Sequence, residues 1–359
     1  MSHLSVFQEN LGRAGVSAAI VSDHLNQLYL TGFDFDDGLV LVTDQSAYVL
    51  TDFRYVEAAK AQCFSDFEIL TPAQGHLACI RGILEDASIR EVMIEESSLS
   101  YADYLRYGEK LPNVALKKGA SDLLETQRRI KDEGELALMA KAQSITDAAF
   151  AHILKVITPN MTEVDVALEL EFFMRCHGAD GLAFNTIAVS GSASSLPHGV
   201  PRTCRLEKGF LTMDFGARVK GYCSDMTRTV VIGKADAEMK HLYDTVLRAQ
   251  LAALDAAAEN ASCQGLDKIA REIIDANECY RGAFGHSLGH GVGLFIHEEP
   301  RLSAKASPDA RLQRGNVVTF EPGIYLEGKY GCRIEDMVAI RPDGSVLNFT
   351  HSPKELIEL

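Results

Sequence analysis

From about residue 130 onward the chain runs through the same programme twice, at a period near one hundred residues. The helical stretch DEGELALMAKAQSITDAAF (132–150) is echoed by DAEMKHLYDTVLRAQLAAL (236–254), and TEVDVALELEFFMRCHG (162–178) by GLDKIAREIIDANE (265–278). The loop FNTIAVSGSASSLPHG (184–199) returns as FGHSLGHGVGLFIHEEP (284–300), and the strand pair 206–232 as 312–340. Such a duplication predicts two similar halves about a pseudo-twofold axis. The cleft between them is the natural place for a site.

Each half contains a hairpin with acids set in apolar strands. In GFLTMDFGARVKGYCSDMTRTVV, a turn centred on Val219-Lys220 places Asp214 directly opposite Asp225. Facing residues have Cβ atoms about 4.5–5.5 Å apart, where like charges destabilise. The second half repeats the arrangement with Glu321 and Glu335 on either side of Glu327-Gly328-Lys329. One such pair reads as a solvated strand face, but two pairs at matching points of a repeat argue against that. Buried carboxylates must be protonated, paired or bound to metal. Four of them with one histidine balance the charge of two divalent cations, and an oxygen-rich site with one imidazole suits Mn2+, Co2+, Fe2+ or Zn2+. The segment 285–300 holds His286, His290 and His297 among four glycines, and by itself reads either as a loop or as part of a metal site.

Residues 1–120 read as a separate α/β domain. Short apolar runs at 17–22, 38–43 and 46–51 alternate with helical patterns such as 53–62, and EVMIEE and VALKKG continue the alternation to Lys118. Residues 121–359 form the duplicated domain, beginning in a long helical pattern over 125–157 that Gly134 is expected to divide. Thr162 opens the next helix with a capping-box pattern, and Gly178 stops it. The net charge of -15 argues against nucleic acid or an anionic membrane as partner. No apolar run nears the roughly 18 residues of a membrane span, and the N-terminus lacks the pattern of a signal peptide. The eight cysteines are scattered without a CxxC, as in a reduced cytoplasmic chain. Cys223 and Cys332 read as packing residues.

The ordered set Asp214, Asp225, His290 in GHGVG, Glu321 in TFEPGIY and Glu335 in CRIED resembles the dinuclear pita-bread metallopeptidases, in particular the Xaa-Pro branch of aminopeptidase P and prolidase. PHG (197–199), IHEEP (296–300) and TDFRY (51–55) are similar to that branch as well. The resemblance spans the whole chain. It implies an α/β N-terminal domain followed by an α+β pita-bread catalytic domain. It also implies two divalent ions, Mn2+ or Co2+ before Zn2+ or Fe2+. Asp225 and a bridging Asp214 would hold one ion, His290 and Glu321 the other, and Glu335 would bridge the pair. The glycines beside His290 would let the backbone approach the ions. His198 and His297 would face the substrate, with His286 nearby, while Tyr325 and Arg333 would support the ligating carboxylates.

The implied reaction is hydrolysis of an Xaa-Pro peptide bond. Glu321 would shuttle the proton, His297 would stabilise the oxyanion and His198 would hold the substrate by the proline. Removal of the N-terminal residue from longer peptides is the expected activity. The grounds are His286 and the lack of an arginine placed convincingly for a substrate carboxylate, although Arg202 and Arg301 follow the two histidine loops closely. Xaa-Pro dipeptidase is the alternative. A metal-free binding module or a creatinase-like amidinohydrolase would show replaced ligands, and methionine aminopeptidase would typically lack residues 1–118. A homodimer is expected, with the loop 31–38 as a candidate partner contact.

Overall fold

The alternating runs of the N-terminal region build one mixed sheet. Its six strands lie in the order Glu68–Leu70, Ala47–Thr51, Gly38–Thr43, Ala18–Val21, Glu91–Ile94, Ala115–Lys118. The inner three pair antiparallel and the flanking ones parallel. Ala18–Val21 is buried at every position, as expected of a strand covered on both faces. Ile80, Leu84 and Tyr107 from two helices pack against Ala18, Ile20 and Leu41. This computed structural model describes residues 2–359, and its contacts divide the chain into two units between Arg128 and Arg129.

The second unit contains the duplication. In its first half, helices Glu133–Val156 and Glu163–Cys176 lay Ile145, Ala149, Phe150, Val166, Leu170 and Met174 on Leu211, Met213 and Val230 of the sheet. In the second, helices Ala237–Asp255 and Cys263–Asp275 lay Leu242, Val246, Ala249, Leu266, Ala270 and Ile274 on Val318, Phe320 and Val338. Both second helices start on a side-chain cap, Thr162 and Ser262, and each cap residue also bridges to the strand region beyond, at Arg205 and Arg311. The same local chemistry thus fixes the same element in both halves.

One expected boundary moves. Gly134 does not divide the helical pattern over 125–157; the break lies at 129–132, between Ala120–Arg128 and Glu133–Val156. Asp132 caps the new helix through Glu135 N, and Glu135 returns a carboxylate to Asp132 N. Gly134 sits in the first turn, where its low helix propensity matters least.

The two halves are joined through their hairpins. Glu335 N donates to Thr227 O at 3.1 Å. Arg228, wholly buried, donates to Thr227 O, Glu335 O, Ser352 O and Pro353 O, and pairs with Asp336 Oδ1 at 2.8 Å. Arg228→Ala removes the side-chain donor from Glu335 O, Ser352 O and Pro353 O and leaves Asp336 with Lys354 as its sole cation. We expect a loss of about 3–5 kcal/mol in unfolding free energy. Urea unfolding followed by far-ultraviolet circular dichroism measures it, since the chain has no tryptophan. A loss below about 1 kcal/mol, typical of an exposed pair, would refute this role.

Candidate metal centre

The first hairpin turns on Lys220-Gly221, one residue later than the pattern suggests. Both residues have positive φ, +47° and +83°, as a two-residue type I′ turn requires. The register therefore shifts by two. Asp214 faces Thr227, Arg218 faces Cys223, and Asp225 lies diagonal to Asp214 rather than opposite it. Because side chains alternate with period two, the shift leaves both acids on one face. The second hairpin keeps the expected register, with Phe320 facing Asp336 and Gly323 facing Arg333, so that Glu321 and Glu335 fall opposite each other.

His290 lies in the short strand Gly289–Gly291, at a β-bulge. Its glycines also serve strand packing. A Cβ on Gly289 would stand 1.9 Å from Thr319 O, and one on Gly291 2.3 Å from Glu299 O. They let neighbouring strands close on the histidine strand.

These elements bring the predicted carboxylates and His290 together. Asp225, His290 and Glu335 each offer a ligand atom within 4.8 Å of the others. His290 Nε2 lies 3.5 Å from Asp225 Oδ2 and 3.3 Å from Glu321 Oε1. Its Nδ1 is 3.0 Å from Gly291 O, so the proton belongs on Nδ1 and the Nε2 lone pair faces the acids. Arg333 donates from Nη2 to Asp214 Oδ2 at 2.6 Å, from Nε to Thr227 Oγ1, and from Nη1 to Tyr325 OH and Pro197 O. Thr227 in turn donates to Glu335 Oε2 at 2.7 Å. Sequence reasoning missed Thr227, although it lies two residues from Asp225 on the same strand face.

His198 and His297 are both exposed and line one cavity of about 450 Å³ with the four acids and His290. The rings of His290 and His297 meet edge to face at 4.5 Å. His286 also reaches this cavity, and its Nε2 is bonded to Tyr325 OH at 2.9 Å. Arg202 is spoken for: Glu163, buried at the start of its helix, binds its Nε, Nη2 and backbone N. Arg301 lines the cavity, and its side chain pairs with no described residue. Cys223 and Cys332 are buried, and burial pushes both thiols up to about 12.

Burial dominates the electrostatics. It raises the pKa of Asp214, although Arg333 works against it, and raises Asp225 and Glu335 well above the carboxylate range, with neighbouring acids adding to the shift. Glu321 is pushed up to about 8 by the same burial. His290 is driven down to about 3 by burial and by His297, and so offers a neutral imidazole. Asp214 Oδ1 is buried with no hydrogen-bond partner. An orphaned carboxylate oxygen, a free imidazole lone pair and mutually repelling acids are together the donor set of a divalent metal centre. The residues present fit two such ions.

Residues 137–342 match metallopeptidase family M24, and residues 4–130 match the creatinase/prolidase N-terminal domain. An uncharacterized peptidase of Bacillus subtilis is 40% identical over 97% of both chains. The structure of an Xaa-Pro dipeptidase from Bacillus anthracis superposes with a TM-score of 0.93 at 37% identity, over 99% of each chain. That of an X-Pro aminopeptidase from Thermotoga maritima does so with a TM-score of 0.90 at 34% identity, over 98% of this chain and all of the other.

A raised carboxyl pKa favours the neutral form in the fold. Its stabilising contribution is therefore complete below the ordinary carboxylate range and is lost as pH rises through the folded value, about 8 for Glu321. In chelator, we expect the thermal midpoint to fall between about pH 5 and 8. A saturating divalent cation should remove most of that decline by binding the ionised acids. A chelated chain whose midpoint is flat or rising across this window would contradict the electrostatics described.

Proposed function

This chain belongs to metallopeptidase family M24 and carries a creatinase/prolidase N-terminal domain, and on that footing we propose that it hydrolyses the bond between an N-terminal residue and a following proline. The observation that carries the reading is the four-acid, one-histidine cluster with its unpartnered Asp214 Oδ1. Asp214, Asp225, His290, Glu321 and Glu335 would hold two divalent ions, Mn2+ or Co2+ before Zn2+ or Fe2+. Such ions supply Lewis acidity at a carbonyl and lower the pKa of water. The substrate class is carried over from relatives named Xaa-Pro dipeptidase and X-Pro aminopeptidase.

The remaining chemistry falls to side chains. The carboxylate of Glu321 accepts the proton of the attacking water and returns it to the leaving nitrogen, which in an Xaa-Pro bond is a tertiary amide. His297 reaches the cleft from the second half, where it can donate to the developing oxyanion. His198 reaches the same cleft from the first half and orients the substrate. Arg333 and Thr227 hold Asp214 and Glu335 in place. Tyr325 is held between Arg333 and His286. The full ligand set argues against a non-catalytic binding module.

No helix among the described residues is long and apolar enough to cross a membrane. The scattered free cysteines support a cytoplasmic setting. A homodimer is proposed from the family resemblance, with 31–38 as the first contact to test.

One observation favours a second reading, Xaa-Pro dipeptidase. With Arg202 bound to Glu163, Arg301 is the arginine in the cleft able to take a substrate carboxylate. Comparing kcat/KM for an Xaa-Pro dipeptide and the same peptide extended by two residues separates the readings. Strong preference for the dipeptide establishes the second.

For either substrate, activity should vanish in chelator and return with Mn2+ or Co2+. Glu321→Gln should lower kcat by about 10³-fold or more, and His297→Ala by about 10²–10³-fold. Near wild-type turnover in a metal-loaded variant would remove that residue from its role.

A further inference from the structure

The catalytic cleft adjoins a second cavity, with Ser287 and Arg301 forming walls of both. The neighbour is the larger, about 720 Å³ against about 450 Å³, within the range of sites that bind small ligands. Its charge runs against that of the chain. The protein carries a net -15, yet Arg129, Arg301, Lys305 and Arg311 line this cavity against only Glu299 and Asp309.

The cations are also unspent. None of the four forms an ion pair among the described residues. Arg129 Nε is buried with no hydrogen-bond partner. Arg311 Nη1 donates to Pro308 O at 2.7 Å and Ala310 O at 2.9 Å, which fixes the guanidinium without neutralising it. Glu299 is turned to the backbone, its Oε2 accepting Arg301 N at 3.0 Å. A buried guanidinium N–H lacking an acceptor is unfavourable, and an anionic ligand relieves it.

We propose that this cavity binds the portion of a peptide substrate that follows the proline, and that Arg129, with Lys305 and Arg311, holds its C-terminal carboxylate. The proposal rests on the Xaa-Pro peptidase reading and extends it to a substrate class: short peptides of three or more residues with a free C-terminus. Arg301 stands at the junction. A dipeptide ends beside it, and a longer peptide continues past it into the basic cavity.

The test compares three substrates on the Mn2+-loaded protein: Ala-Pro, Ala-Pro-Ala-Ala with a free C-terminus, and the same tetrapeptide as its C-terminal amide. Turnover of the amidated tetrapeptide reports the peptidase reading alone; the ratio of acid to amide reports the cavity. The free acid should exceed the amide by about tenfold in kcat/KM, carried by KM, as for one charge-assisted hydrogen bond. Arg129→Met should erase that ratio and leave the amide at its wild-type value. Lys305→Met, at an exposed position that folding does not depend on, should reduce the ratio by a smaller factor. Equal kcat/KM for acid and amide overturns the proposal, as does an Arg129→Met loss that falls equally on the amide.

Discussion

Four carboxylates crowded into one cleft repel one another, and the architecture of the duplicated region is arranged around that repulsion. No single strand pair would bring them together unaided, because facing like charges push strands apart. The acids are held because the strands that carry or adjoin them are paired along their length and buried at nearly every position. One internal cation, Arg333, is spent on Asp214. A second, Arg228, ties the two hairpins behind the acids. The remaining charge imbalance is what makes the cleft a receptor for divalent cations.

What could be read in advance follows from which physical signals are local. The duplication, the capping box at Thr162 and the alternation of the hairpins are written in short stretches of sequence, and the structure has them. The alternation centres the first turn one residue early because it fits Val219-Lys220 and Lys220-Gly221 alike. The error was harmless to the site because a register shift of two preserves the face. Gly134 misled because glycine is a poor helix former everywhere except near the ends, and Asp132 put an end there. The glycines beside His290 answer to Thr319 and Glu299, distant in sequence, and no local rule names those partners. Glu163 was invisible as a clamp for the same reason: its partners Ser190 and Arg202 are 27 and 39 residues away.

The halves share a plan but secure their loops differently. In the first, Glu163 binds Ser190 and Arg202, closing the base of the loop that carries His198. In the second, Asp267 accepts Leu288 N while Arg271 donates to Phe284 O and His286 O, fixing the segment that leads to His290. Two carboxylate–arginine pairs from different helix positions thus do one task. What the repeat retains is the placement of the loops, not the residues that pin them.

The departure from exact symmetry has a chemical consequence. Two identical halves would present two equivalent cation positions. Here the strand Gly289–Gly291 brings an imidazole, while its counterpart Ile187–Ser190 brings none. On the ligand set proposed above, one position is all oxygen and the other includes a nitrogen donor. The two rank metals differently, since imidazole favours later transition ions and carboxylate tolerates harder ones. With that ligand set, a single missing histidine would turn a twofold-symmetric scaffold into a pair of sites with separate affinities.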